Sequence, residues 1–252
     1  MHVAEYYDAE YAHRKMLEQD VPFFLGQLPK RRQEILELAV GTGRAAIPLA
    51  QAGHRVVGVD YARDMLAIAR RKRDAVGLSD RQLELVLRDA LRLKLKSRFD
   101  WVCLFFNTFL VFTTLAEQDR LLRVVRSHLR PNGRFWLDIF LPDLSLIPNP
   151  RVEERDAHTF FMPRFGRTVA MKTSLRRVAA QVSRVTFHYT WFDEFGRQHR
   201  EKTEFDMTYI FPRELEVLLE RNGLQIEQIW GNYDGSPLTA SSPRIIARCC
   251  RK

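Results

Sequence analysis

Two spacings of apolar residues take turns along the first half of the chain. Nearly continuous apolar runs fall at 34–39, 55–59, 83–87 and 100–106, separated by stretches with apolar residues at helical spacing. Apolar runs of that length predict strands covered on both sides, as in a parallel sheet. Helices are predicted after Gly43, over Asp64–Val76 and over 116–129. Arg130-Pro131-Asn132-Gly133 is then a turn signal before a fifth strand, Arg134–Phe140. Residues 9–28 also show helical spacing, with Pro22 marking a kink or break. Strand alternating with helix implies a parallel sheet built through right-handed crossovers.

The rhythm changes after residue 140. Residues 141–150 carry three prolines and no periodicity. From 152 to 210 the chain alternates with period two, as in Ser183–Trp191, turns at Asp193–Gly196 and returns over Arg200–Ile210. This reads as an inserted antiparallel sheet. Pro212 then opens a helix that Asn222-Gly223 ends, and strands follow at 224–230 and 244–250. The expected fold is α/β: a Rossmann-like seven-stranded, mostly parallel sheet with helices on both faces, plus the inserted sheet. The expected domains are a core of 1–142 with 211–252, and an acceptor-binding insertion of 143–210.

Chemistry enters at the ends of the apolar runs. The first strand carries Glu37 just before the turn Gly41-Thr42-Gly43, and the second ends in Asp60. A strand, a glycine turn opening a helix, and a second strand ending in a carboxylate form a nucleoside-binding unit. Gly41 to Ala46 also fits the dinucleotide pattern G-x-G-x-x-A. In such a site the turn holds a pyrophosphate, which Glu37 would repel. A ligand with an ammonium and a sulfonium would be favoured by about 4 kcal/mol at an effective dielectric near 20. S-adenosylmethionine is the common nucleoside ligand with a cationic end. Asp60 can hold a ribose for either ligand, whereas Asp89-Ala90, after the third strand, can grip the amino edge of adenine. The plain alternative for Asp89 is a helix cap or turn residue.

These residues together resemble the class I S-adenosylmethionine-dependent methyltransferases. The resemblance rests on Glu37-Leu-Ala-Val-Gly41-Thr-Gly43, Val59-Asp60-Tyr61 with Asp64-Met65-Leu66, Arg88-Asp89-Ala90 and Phe105-Phe106-Asn107-Thr108. It spans about 34–140 and resumes at 211–250. It implies that Glu37 orients the methionyl ammonium, and that Ala39, Gly41, Thr42 and Gly43 let the backbone approach the cofactor. Asp60 would hold the ribose, Tyr61 and Met65 would flank the adenine, and Asp89 with Ala90 would bind its amino edge. Phe105 and Phe106 would line the methyl end. Ala39 stands where many members have glycine. The insertion and the early tyrosines resemble a subgroup of sugar-amine and other small-molecule N-methyltransferases. In it the added sheet forms a floor for the acceptor and N-terminal tyrosines, here Tyr6, Tyr7 and Tyr11, close over the cofactor.

Composition narrows the reading further. The chain has 252 residues, 46% hydrophobic, with a formal net charge of +9 and far more Arg than Lys. An Arg-rich exterior explains that charge more simply than nucleic acid does. Cys103, Cys249 and Cys250 have neither disulfide nor metal-ligand spacing, which suggests buried thiols in a reducing cytoplasm and no metal. The longest apolar run, Trp101 to Phe112, is too short to span a bilayer. Transfer of an activated methyl group needs alignment above all, and a base only for a hydroxyl or ammonium acceptor. His188 and Tyr11 are weak candidates for that base; His199 is weighed beside His188, and His158 is weaker still. Asn107 stands where DNA amino-methyltransferases carry a proline-rich motif, but Thr108-Phe109 follows it. The expected partners are a small-molecule acceptor and a second copy of the chain, with no membrane. The competing readings are an RNA-modifying methyltransferase, using Arg164, Arg167, Arg176, Arg177 and Arg184, and a non-catalytic nucleotide-binding module.

Overall fold

The computed structural model describes residues 3–12, 17–143 and 151–252. In chain order the elements are α1 (Val3–Tyr11), α2 (Leu17–Gly26), β1 (Glu34–Leu38), α3 (Ala46–Gln51), β2 (Arg55–Asp60), α4 (Arg63–Ala75), β3 (Leu83–Leu87) and β4 (Phe99–Leu104). They continue with α5 (Leu115–His128), β5 (Leu129–Phe140), β6 (Arg151–Met162), β7 (Arg167–Ala179), β8 (Val182–Phe192), β9 (Gln198–Thr208), α6 (Pro212–Arg221), β10 (Leu224–Trp230) and β11 (Arg244–Arg251). No helix among the described residues is long and apolar enough to cross a membrane.

The chain divides into two compact units, Met16–Leu141 with Ile210–Lys252 and Met1–Lys15 with Pro142–Tyr209. The larger holds a seven-stranded sheet in the order β10-β11-β5-β4-β1-β2-β3. β1 to β5 pair in parallel, and β11 runs antiparallel between β5 and β10. β4, apolar but for Asp100, lies near the middle, buried from Trp101 to Leu104. The strand order reverses beside β1: its neighbours are β2 on one side and β4 on the other. Loops leaving the carboxyl ends of β1 and β4 therefore diverge and open a crevice, the usual ligand site of an open α/β sheet.

Three local expectations are corrected. In place of one helix over 9–28 there are two, and Pro22 lies inside α2 without ending it. Only one backbone bond, to the first helical turn, is lost there. Phe24, fully buried against Trp101, Phe105 and Trp136, secures the helix beyond it. The turn signal at 130–133 does not precede β5 but lies within it. Phe99 pairs with Leu129 and Trp101 with Arg134, so the extra residues form a bulge. A side chain at Gly133 would sit 2.9 Å from the Phe99 carbonyl, so the bulge needs glycine. Finally, β4 stops at Leu104, leaving Phe105 and Phe106 in the following turn.

The smaller unit is a four-stranded antiparallel meander, β6-β7-β8-β9. Its period-two alternation turns Phe160, Met162, Val169, Met171, Tyr189 and Trp191 to one face, where they form a buried cluster with Tyr6 of α1. Tyr6 stacks on Tyr189 at 4.3 Å between ring centroids. By that contact α1 groups with the inserted sheet in the smaller unit. The hairpin at 193–196 forms as expected, with Asp193 accepting from the amides of Phe195 and Arg197.

Candidate active site

The turn after β1 is held in a backbone conformation that favours glycine. Gly41 and Gly43 have φ of +55° and +79°, and Ala39 has φ +54°. An alanine there costs roughly 1–2 kcal/mol, and the hydrogen bond from the Val40 amide to the Val59 carbonyl, 3.0 Å, helps hold it. Asp60 fastens the turn to β2. One carboxylate oxygen accepts from the Gly41 amide and the other from the Ala62 amide, both at 2.8 Å. Each oxygen keeps a further lone pair for a ligand hydroxyl. Burial raises the Asp60 carboxyl, and those amides oppose the shift. Thr42 is fully buried in the turn.

Glu37 lies at the heart of this arrangement. It is 4% exposed, and its Oε2 is buried with no hydrogen-bond partner. Burial pushes its carboxyl up to about 8. Arg44 opposes that shift, Asp20 and Asp60 add to it, and the Ala46 amide at the start of α3 lowers it. An orphaned buried carboxylate oxygen is costly unless something cationic completes it. The donor set therefore fits the ammonium end of S-adenosylmethionine. Arg44, in the turn, is engaged with Asp20 of α2: Nη1 donates to Oδ1 at 2.9 Å and Nη2 lies 2.7 Å from Oδ2.

Toward β2 and β3, Tyr61 is 80% exposed and Met65 is half-buried on α4. Asp89 caps a short 3-10 turn, accepting from the Leu91 amide at 2.8 Å through Oδ1, so the cap reading of this residue is realised. Its Oδ2 lies 3.8 Å from Arg92, and Ala90 beside it is buried.

After β4, Phe105 is buried, while Phe106 and Asn107 have φ of +46° and +64°. Asp138 of β5 holds them. Its carbonyl accepts from the Asn107 amide at 2.8 Å and its carboxylate from the Phe106 amide at 3.3 Å. The same carboxylate receives the Tyr233 hydroxyl at 2.5 Å and Arg244 Nε at 2.6 Å, in a wholly buried ion pair. Burial and the Asp138 charge push the Tyr233 hydroxyl up. Asn107 accepts from the Phe140 amide and from Arg244, a structural task. The Phe106 ring has the Arg44 guanidinium at 5.7 Å and that of Arg244 at 5.3 Å. Sequence reasoning missed Asp20, Arg44, Asp138, Tyr233 and Arg244, because their pairings join distant segments.

In the smaller unit, Tyr6 donates to Glu201 and Tyr189 to Glu10, each at 3.2 Å. Tyr7 and Tyr11 lie ring to ring at 4.4 Å. His188 sits on the face opposite Tyr189, with Nε2 2.9 Å from Ser174 Oγ. His199 stacks on Trp191 and lies 3.0 Å from Asp193. Of the arginines considered for phosphate, Arg184 pairs with Asp206 and Arg167 lies 4.2 Å over the Trp191 ring. The side chain of Arg164 lies outside the described residues. Cys103 and Cys249 are buried thiols and Cys250 is half-buried.

A switch-point crevice with acids at three strand ends, one of them orphaned, defines a nucleoside-binding α/β enzyme that takes a cationic ligand. Comparison with known proteins agrees. Residues 35–133 match the methyltransferase domain family. Cypemycin N-terminal methyltransferase from a Streptomyces species is 29% identical over 223 residues, 86% of this chain and 83% of that protein. An S-adenosylmethionine-dependent methyltransferase of Clostridium acetobutylicum superposes with a TM-score of 0.77 at 18% identity, covering 98% of this chain and 96% of that one. The sugar N-methyltransferase KedS8 of a Streptoalloteichus species gives 0.73 at 21% identity, covering 98% and 93%. Residues 35–133 thus match a methyltransferase domain, and the fold is one shared with S-adenosylmethionine-dependent methyltransferases.

Proposed function

We propose that this enzyme methylates a small-molecule acceptor at nitrogen or oxygen by in-line displacement, and that the inserted sheet with α1 carries acceptor recognition. The observation that carries the proposal is the covered face of that sheet. There aromatic rings lie beside two carboxylates, Glu10 and Glu201, each hydrogen-bonded to a tyrosine. Aromatic faces and carboxylates are what an amine-bearing molecule needs for recognition. Cypemycin N-terminal methyltransferase and the sugar N-methyltransferase KedS8 support an amine acceptor.

On this reading Glu37 orients the cofactor's ammonium, and Ala39, Gly41, Thr42 and Gly43 form the wall it lies against. Asp60 holds the ribose, Tyr61 and Met65 sandwich the adenine, and Asp89 with Ala90 reads its amino edge. Phe105 and Phe106 exclude water from the methyl group. The cofactor supplies an activated methyl carbon; the chain's task is alignment and dryness. A neutral amine needs no base, so His188 has no part in it. The three free thiols suit a reducing cytoplasm. The test is methyl-labelled cofactor offered with amino sugars, peptides with free N-termini, hydroxylated analogues and transfer RNA. Label in an amine or hydroxyl small molecule is expected. Label in RNA alone, or in none while the cofactor binds, contradicts the proposal.

A further inference from the structure

The four-stranded sheet has two edges, β6 and β9, each paired on one side only among the described residues. An unpaired edge presents a row of backbone donors and acceptors to any strand that fits it, so proteins bend, charge or cover their edges. The two edges differ. The pairing of β6 with β7 shifts register twice, between Val152 and Arg155 and between Arg155 and His158. Such irregularities bend a strand and spoil it as a template. The pairing of β9 with β8 is unbroken from Gln198 to Thr208.

β9 is also charged, but its charges are sorted by sign. Lys202 lies opposite His188, which faces away from the buried aromatic cluster, so the even-numbered residues of β9 share that outer face. In order they include Arg200, Lys202, Glu204 and Asp206, two cations and then two anions, with Thr203 at the midpoint on the other face. Lys202 is 66% exposed and Glu204 40%. Within the chain Lys202 reaches Glu204 at 3.2 Å, and Arg184 donates to both oxygens of Asp206. Each carboxylate oxygen has a second lone pair for a further donor.

A second copy that meets this edge through a two-fold axis runs antiparallel to it, and each residue faces the position equally far beyond the axis. Outer side chains must face outer side chains, so the axis falls on a residue and not between two. With the axis at Thr203, Arg200 faces the second copy's Asp206, and Lys202 its Glu204, each pair formed twice. An axis one residue away sets Lys202 against Lys202 or Glu204 against Glu204. An axis two residues away sets Arg200 against Lys202 or Glu204 against Asp206. Like charges directly opposite destabilise a strand pair, so charge selects the register centred on Thr203. We propose that β9 is the docking edge for a second copy of this chain, paired antiparallel about a two-fold axis at Thr203 into one sheet that takes four strands from each copy.

The test is sedimentation equilibrium of the full chain over about 1–100 µM. It compares wild type, Lys202→Glu, Glu204→Lys and an equimolar mixture of the two variants. Wild type is expected to dimerise reversibly. Either variant alone places like charges opposite one another twice, and its dissociation constant should rise at least about tenfold. In the mixture the anions of one variant face the cations of the other, so association should return to within about threefold of wild type. That recovery also shows that both variants fold. A wild type that stays monomeric throughout overturns the proposal. So does a dimer that neither variant weakens, which would place the interface elsewhere. A mixture that associates no better than its components overturns it as well.

Discussion

The two units bury charge in different ways. In the seven-stranded unit, carboxylates sit at the ends of apolar strands in unequal company: Asp138 is fully paired, Asp60 is tied to amides, and Glu37 keeps one oxygen unpaired. In the four-stranded unit, carboxylates on the buried face accept from tyrosines within the same packing cluster. The first arrangement leaves a buried carboxyl oxygen without a hydrogen bond where a ligand can complete it. The second ties an oxygen of each of these carboxylates to a tyrosine hydroxyl. The Asp138 pair holds the turn after β4, whereas the orphaned oxygen of Glu37 persists where a ligand can repay it.

Substitutions sharpen that contrast, beginning with the largest effect. Asp138→Asn should destabilise by about 3–5 kcal/mol in urea unfolding, because it leaves Arg244 buried without its counter-charge. A loss below about 1 kcal/mol would mean the pair is not the anchor of the turn after β4.

Glu37→Gln should behave in the opposite sense. Cofactor affinity should fall by about 2–3 kcal/mol, while stability at alkaline pH should rise. The sign follows from the raised carboxyl. Its folded value, about 8, lies above an ordinary 4.5, so between those values the folded state holds a proton that the unfolded state has lost. This group's contribution to stability is therefore present at low pH and disappears as pH rises from about 4.5 to 8. Urea unfolding across that range should show the decline in wild type and lack it in Glu37→Gln.

Tyr189→Phe removes a donor from Glu10 and should cost about 1–2 kcal/mol, with cofactor affinity unchanged within about twofold. Hydrogen exchange should place that loss in the inserted sheet; a matching loss in the parallel sheet would blur the division between the units. Ala39→Gly has the smallest expected effect, a gain of up to about 1 kcal/mol, since glycine adopts that positive φ without strain. A loss of thermal stability in this variant would show that the alanine methyl contributes packing that outweighs the backbone strain.

The parallel sheet was legible because its strands are short, apolar and spaced by helices, and because its acids stand where those runs end. The turn from Glu37 to Gly43 could be read as a ligand site from charge alone. Much of the rest depended on partners far along the chain. Asp138, Tyr233 and Arg244 lie in separate segments, and their ordinary local context gave no sign of a buried cluster. Asp20 faces Arg44 across 24 positions. The turn signal at 130–133 was real, but pairing of β4 with β5 absorbed it as a bulge. Helix α1 has an acidic and aromatic composition that suits several places; only the stacking of Tyr6 on Tyr189 assigned it to the inserted sheet.

The central claim is that the buried acid at the end of β1 selects a cationic amino-acid tail over a pyrophosphate. Calorimetric titration of the full chain with S-adenosylmethionine and, separately, with NADH addresses it directly. The account predicts saturable one-to-one binding of the sulfonium ligand and no measurable heat with NADH. Tight binding of NADH, with no binding of S-adenosylmethionine, would contradict it.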